Sequence, residues 1–162
     1  MNDSAFSCRM CGHCCEGVGG IVLTDKDQRR LAAHLSLTVA ELLERHAELR
    51  GGKHQLLCGE NGYCVFYDQG CGVHVARPDV CRAWPFFRGN LVDETSWEMV
   101  QEYCPGVNPH VQHAEFVRQG GEYLVREGLC CKCSDESPNA LTPEDRTAGN
   151  GTGEDEGGNG KP

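Results

Sequence analysis

The chain has 162 residues, the length of one ordinary domain, and a formal net charge of −9. That charge argues against a nucleic-acid-binding protein, because such a protein carries a clustered basic face. Seven acids and two bases follow residue 133, which leaves a net charge of −4 for residues 1–133. The acidity therefore belongs mainly to the C-terminal segment.

Cysteine is the most over-represented residue, with 12 copies. High cysteine content indicates disulfides in a secreted protein and metal or redox chemistry in a cytosolic one. The first residues show neither the basic start nor the apolar stretch of a secretory signal, and no apolar run of about 18 residues is present to span a membrane. We therefore expect a cytoplasmic monomer, without a nucleic-acid or membrane partner, whose thiolates bind metal.

Helices are predicted in the first third of the chain, after a cysteine- and glycine-rich loop at residues 1–20 and a brief extended segment at residues 21–23. Two threonines, each followed three residues later by an acid, predict the N-caps of two helices. The second helix is expected to end at a pair of glycines, Gly51-Gly52. The residues that predict these helices are Thr24, Asp27, Leu31, Ala32 and Leu35 for the first, and Thr38, Glu41, Leu42, Leu43 and Leu49 for the second.

Short β-like stretches are predicted in the middle of the chain. Residues 63–67 and 72–75 flank Asp68-Gln69-Gly70, a sequence typical of a hairpin turn. Residues 86–92 form another β-like stretch. These pieces predict a short hairpin or a small sheet.

Proline positions predict two further helices. Pro78 suits the first turn of a short helix. Asn108-Pro109 resembles a cap followed by a first helical proline, and it predicts a helix towards Val125. Gly120-Gly121 should weaken or break that last helix.

Together these elements predict an α+β fold: a small, irregular, cysteine-rich metal-binding domain over residues 1–133. Residues 134–162 contain almost no large apolar side chains, so they cannot offset the entropy of ordering. We expect this segment to be a disordered acidic tail.

The cysteine run Cys8-x2-Cys11-x2-Cys14-Cys15 is the sharpest motif. Two thiolates separated by two residues can bind one metal ion. Three at successive spacings of three resemble the ligand run of bacterial ferredoxins, in which a Cys-Pro pair completes the set for a [4Fe–4S] cluster. Cys104-Pro105 is a candidate for the remote ligand, and Cys64, Cys71 and Cys81 are the remaining partners.

Further motifs carry a resemblance to a known family. These are Ile21-x-Leu-Thr-x-x-Asp27, Arg77-Pro78-x-x-Cys81-Arg82-x-Trp-Pro85 and Cys104-Pro-Gly106. With the cysteine run, they resemble the CxxCxxCC (YkgJ-like) family of zinc- or iron-chelating proteins, often described as containing an iron–sulfur cluster. The resemblance covers roughly residues 6–107 and implies eight metal ligands: Cys8, Cys11, Cys14, Cys15, Cys64, Cys71, Cys81 and Cys104. It implies no settled activity, and it leaves out Cys58, Cys130, Cys131 and Cys133.

Two arginines and three histidines are secondary candidates. Four thiolates around a metal leave a negative site, which Arg77 and Arg82 could compensate as neighbours of the ligands. The same arginines could instead cap local carbonyls or pair with Asp79. His13, His110 and His113 are weaker and are expected to be ordinary polar residues.

The motifs leave the metal open between iron–sulfur and zinc, since both accept four cysteinates. The ferredoxin-like spacing favours a [4Fe–4S] protein for electron transfer, cluster-dependent chemistry or iron handling, with an unidentified redox or protein partner. A zinc module with a structural or partner-binding role is the alternative. An enzyme is a third interpretation, although the sequence contains no recognisable catalytic set. Eight ligands allow one site or two, and we expect two neighbouring sites.

Overall fold

The computed structural model describes residues 3–18 and 20–129. The predicted tail at 134–162, and Cys130, Cys131 and Cys133, lie outside this part of the chain. The fold is α+β, as predicted, with short helices around one antiparallel hairpin. Its elements are α1 (Asp25–His34), α2 (Val39–His46), β1 (Ala47–Arg50), β2 (Lys53–Leu56), α3 (Asp79–Ala83), α4 (Arg88–Val92), α5 (Glu94–Tyr103) and α6 (His113–Arg126), with 3-10 turns at His13–Cys15 and His74–Ala76.

Both predicted capping boxes are confirmed at the starts of α1 and α2. The Thr24 hydroxyl accepts from the Asp27 N–H and the Asp27 carboxylate accepts from the Thr24 N–H, and Thr38 and Glu41 repeat the arrangement. These local hydrogen bonds satisfy N–H groups that a helix start otherwise leaves unpaired. The two helices are therefore fixed by residues close to one another in sequence.

The glycine pair that was expected to end α2 forms a hairpin turn instead. Helix α2 ends at His46, and Ala47 to Arg50 pair in register with Leu56 to Lys53. Gly51 and Gly52 both have positive φ angles, 57° and 77°, as the centre of a tight two-residue hairpin requires. The helical assignment of Leu49 was wrong, and its side chain is exposed on β1.

The hairpin predicted at residues 63–75 was also misplaced. This segment forms isolated backbone β-bridges instead of strands: Cys64 pairs with Cys58, and Tyr67 pairs with Cys71. Its last part is a 3-10 turn. Residues 68–70 do form a turn, in which the Asp68 N–H donates to the Gly70 carbonyl. The predicted extended segment at residues 21–23 is present and lies beside β2, where Val22 bridges Gln55.

In the second half of the chain, residues 88–92 form α4 rather than a β-like stretch, and Phe86 is buried instead of lying on a strand. Helix α5 had no sequence prediction, although the Asp93 side chain caps it by accepting from the Ser96 N–H. Helix α6 begins at His113, later than Asn108-Pro109 suggested. Tertiary packing overrides local propensity in these segments.

Gly120 and Gly121 do not break α6. Both are buried inside the helix, and a Cβ atom at Gly120 would lie 2.5 Å from Cδ1 of Phe86. The glycine therefore allows the Phe86 ring to pack directly on the helix backbone.

In the part of the chain that the structure describes, the core consists of two hydrophobic clusters. One lies around α5 and α6 and includes Trp97, Phe116 and Leu124. The other lies around α1, α2 and β2 and includes Leu31 and Leu42. Within the described residues, no helix combines the length and apolar character needed to cross a membrane.

Candidate metal site

The cysteine run folds as a tight loop. Met10 and Gly12 have left-handed φ angles of 50° and 88°, and the Cys15 N–H donates to the Gly12 carbonyl at 2.8 Å. A Cβ atom at Gly12 would lie 2.4 Å from Cζ of Tyr67, whose hydroxyl donates to the Cys11 carbonyl. The loop therefore needs glycine at this position both for its turn and for close contact with the tyrosine ring.

Backbone hydrogen bonds bring the remote cysteines to this loop. The Cys64 N–H donates to the Cys15 carbonyl at 2.7 Å. On the other side of the loop, Phe6 forms an antiparallel β-bridge with Val107, and the Ser7 N–H donates to the Gly106 carbonyl at 2.9 Å. The first pairing places Cys64 beside the loop, and the second ties the chain just before Cys8 to the chain just after Cys104.

A cavity of about 50 Å³ lies between the two hydrophobic clusters. Phe6 and Trp84 on one side and Ile21, Leu56 and Val73 on the other supply apolar wall. All eight cysteines of the sequence motif also line it: Cys8, Cys11, Cys14, Cys15, Cys64, Cys71, Cys81 and Cys104.

The donor set fits a thiophilic metal. The nine cysteines of the described segments are free thiols, and eight of them share this cavity. Thiolates are the preferred ligands of iron–sulfur clusters and of structural zinc. Among the described residues, no three His, Cys, Asp or Glu side chains are arranged closely enough to hold an ion. Ligation would therefore draw the thiols inward from their positions on the cavity wall.

Cys14 and Cys15 differ in acidity. The Cys15 thiol donates a hydrogen bond to the Cys14 sulfur, which lowers the pKa of Cys14 to about 6, and the charge of Arg77 acts in the same direction. The same hydrogen bond, together with burial, raises the pKa of Cys15. A lowered pKa prepares Cys14 to bind a metal as a thiolate near neutral pH.

Burial has the opposite effect on the remote cysteines. It raises the pKa of Cys64, Cys71 and Cys81, and the neighbouring thiolates raise these pKa values further. Arg77 opposes this effect at Cys71 and Cys81. Because metal binding requires deprotonated sulfur, loading this cavity must release protons from these thiols.

The two candidate arginines have different surroundings. Arg77 lines the cavity, and its Nε is buried without a hydrogen-bond partner. Arg82 is not part of the cavity wall: its guanidinium forms ion pairs with Asp79 and Glu127, each at 3.0 Å. The pairing of Arg82 with Asp79 is the alternative that the sequence left open.

Sequence reasoning did not assign a role to Asp27 beyond its cap. Its side chain is 1% exposed, and Oδ1 accepts from Arg30 at 2.6 Å and from the Asp79 N–H at 2.9 Å. Arg30 also donates to the Arg77 carbonyl and to the Asp79 carboxylate. We call Asp27, Arg30 and Asp79 the carboxylate clamp; it fixes the segment that carries Arg77 and Cys81.

His74 is a second residue that the sequence did not single out. It lines the cavity, and its Nε2 is buried without a partner. Burial and the charge of Arg77 lower its pKa, which favours the neutral imidazole. A lone histidine outside the cysteine run gives no signal of its own in one sequence.

The other candidates lie away from the cavity wall. His13 is exposed and forms hydrogen bonds with Tyr103, whose hydroxyl donates to the His13 carbonyl. His113 Nε2 contacts the Asn90 carbonyl, and its ring lies against Trp97. Cys58 forms an isolated backbone β-bridge with Cys64, but it does not line the cavity.

Comparison with known proteins gives one informative result. Neither the curated proteins nor the solved structures contain a significant match to this chain. A family model, CxxCxxCC, described as "Putative zinc- or iron-chelating domain", matches residues 7–105, which span the loop and all eight cavity cysteines. The chain therefore belongs to the CxxCxxCC family of zinc- or iron-chelating domains.

Proposed function

We propose that this protein holds iron as a [4Fe–4S] cluster in the cysteine cavity, and that it serves electron transfer, cluster-dependent chemistry or iron handling in the cytoplasm. The observation that carries the proposal is the cavity itself. Eight cysteines separated by up to 96 positions in sequence line one space of about 50 Å³. A lone cysteine is often a small core residue, but eight around one cavity form a ligand set.

The position of Cys104-Pro105 supports iron–sulfur over zinc. In ferredoxin-type runs, three cysteines at spacings of three are completed by a cysteine that precedes proline. Here a β-bridge between Phe6 and Val107 joins the segments next to Cys8 and Cys104. Cys104 therefore lines the same cavity as the cysteines of residues 8–15. We assign Cys8, Cys11, Cys14 and Cys104 to one cluster.

The remaining four cysteines make up a second group. Cys64 donates its N–H to the Cys15 carbonyl, and Cys71 and Cys81 line the same cavity. We assign Cys15, Cys64, Cys71 and Cys81 to a second metal site that adjoins the first.

The surrounding residues suit such a site. A bound cluster supplies reversible one-electron transfer, and its potential depends on the polarity and hydrogen bonding around the sulfurs. The apolar wall, which includes Phe6 and Trp84, limits the access of water to the thiolates. Arg77 places a positive charge beside Cys14, Cys71 and Cys81.

Metal and acid-labile sulfide analysis of anaerobically purified protein tests the proposal. We expect iron and sulfide in equal amounts, with an unchanged content in the control variant Cys58→Ser. Zinc without sulfide would refute the iron–sulfur assignment and support the zinc alternative. Protein that is folded but contains neither metal would refute metal binding altogether.

A further inference from the structure

Two buried nitrogen atoms on one short segment of the cavity wall have no hydrogen-bond partner. They are Nε2 of His74 and Nε of Arg77. A buried polar atom without a partner costs about 1–3 kcal/mol, so native proteins rarely leave one unsatisfied. Both residues line the cavity that the thiols line, which indicates that the occupant of the cavity satisfies them.

The segment is held close to one of the proposed ligands. The His74 N–H donates to the Cys71 carbonyl at 3.2 Å, so Cys71 and His74 belong to one turn. The clamp residue Arg30 donates to the carbonyl of Arg77 at 2.7 Å and fixes the other end. His74 and Arg77 therefore reach the cavity from a segment whose backbone is anchored on both sides.

The nature of the two atoms decides what the occupant must offer. Arginine Nε can only donate a hydrogen bond, so its partner has to be an acceptor. Eight thiolates already provide two complete sets of four ligands, which leaves no ligand position for an imidazole. Thiolate sulfurs carry the negative charge of such sites and accept hydrogen bonds from nearby N–H groups.

We propose that His74 donates a hydrogen bond from Nε2–H to a metal-bound thiolate, beside a parallel donation from Arg77, and so positions that thiolate and tunes its donor strength. This inference rests on the proposed metal site. It assigns His74 the tautomer that is protonated at Nε2. It makes His74 a positioning residue that acts through sulfur and does not bind the metal.

Cobalt(II) is a suitable probe, because its thiolate charge-transfer absorption reports the electron density on sulfur. The full-length apoprotein would be loaded anaerobically with Co²⁺ as wild type, His74→Leu and His74→Gln. Leucine removes the donor, whereas glutamine retains an N–H group on a side chain of similar length. His46→Leu is the matched control, because His46 also has a buried ring nitrogen without a partner but does not line the cavity.

We expect His74→Leu to move the charge-transfer band to longer wavelength and to weaken Co²⁺ binding by about 10–100-fold, the usual cost of losing such an outer partner. His74→Gln should restore most of both values, and His46→Leu should match wild type. A histidine that only fills space would give equal results for leucine and glutamine. That result, or X-ray absorption that shows nitrogen bound to cobalt in wild type, would overturn the inference. Wild-type protein that binds no Co²⁺ would refute the metal site as well.

Discussion

In the proposed division of the cysteines into two sites, the adjacent residues Cys14 and Cys15 belong to different sites. Cys14 follows the ferredoxin-like spacing of the loop, whereas the Cys15 carbonyl accepts the N–H of Cys64. Their thiols share one hydrogen bond, which lowers the pKa of one and raises the pKa of the other. Neighbouring side chains with such different environments suit ligands to two different sites.

Serine substitutions at Cys11 and Cys71 test this division. Each removes one thiolate from a different group, so each variant should lose roughly the metal of one site and keep part of the metal of the other. The measurement is metal and sulfide per chain after anaerobic purification. Cys58→Ser again serves as the control, because Cys58 does not line the cavity. Complete loss of metal from either folded variant, or an unchanged content, would show that the two-site division is wrong for that cysteine.

The cysteines that line the cavity could be singled out from sequence and His74 could not, for a physical reason. Thiols at short, regular spacings form a local pattern that only metal or redox chemistry explains well. His74 becomes a candidate only because it lines the cavity, and that cavity forms only when segments far apart in sequence come together. Arg82 is the opposite case: the sequence motif singled it out, but its guanidinium forms ion pairs with Asp79 and Glu127 and does not line the cavity.

At the scale of elements, the capping boxes of α1 and α2 have similar sequences, Thr-x-x-Asp and Thr-x-x-Glu, but differ in role. Glu41 is exposed, and its contacts are made within its own helix: it caps the helix start at Thr38 and forms an ion pair with Arg45. Asp27 is buried and connects α1 to the segment that carries Arg77 and Cys81 through the carboxylate clamp. The first box is therefore a tertiary contact as well as a local one.

Alanine at Asp27 should lower the free energy of unfolding by about 3–5 kcal/mol, because Arg30 and the Asp79 N–H would lose a buried acceptor. Alanine at Glu41 should cost only about 1 kcal/mol, as the loss of an exposed capping interaction does. Anaerobic urea unfolding, followed by circular dichroism, measures both. Equal losses in the two variants would show that the clamp adds nothing to the cap.

Among the elements that sequence reasoning placed correctly, α1 and α2 begin at local capping hydrogen bonds of Thr24 and Thr38. Gly51-Gly52 is compatible both with a helix end and with a hairpin turn, and only the pairing of β1 with β2 decides between them. Residues 86–92 include apolar side chains that suit a strand or a helix, and in the structure residues 88–92 form α4 while Phe86 packs on Gly120.

At the scale of the whole molecule, the cysteine cavity lies where the two hydrophobic clusters meet. Phe6, Trp84 and Cys104 come from one cluster and its surroundings, and Leu56, Cys64 and Cys71 from the other. Thiols on the two sides repel one another as thiolates unless a metal neutralises them. A metal bound in this cavity would therefore link the two halves of the core.

Removing the metal should loosen this junction first. Chelation under reducing conditions is expected to increase proteolysis within residues 8–18 and 64–81, while α6 keeps its protection because Phe116 and Leu124 are fully buried away from the cavity. Limited proteolysis with mass spectrometry locates the cuts. Full protection of both segments in the metal-free protein would show that the loop holds its shape without a metal.

The wide separation of the cavity cysteines also sets the order of biosynthesis. Cys8 is made first, and Cys104 follows 96 residues later. A ribosome adds about 5–20 residues per second, so the first thiols wait for several seconds without their full set of partners. During that interval the run at residues 8–15 is a group of unprotected thiols, open to oxidation or to capture of a wrong metal. The full set of proposed ligands exists only after the segment that joins Phe6 to Val107 has emerged, so insertion of a metal into this cavity would be a late step that depends on a finished fold.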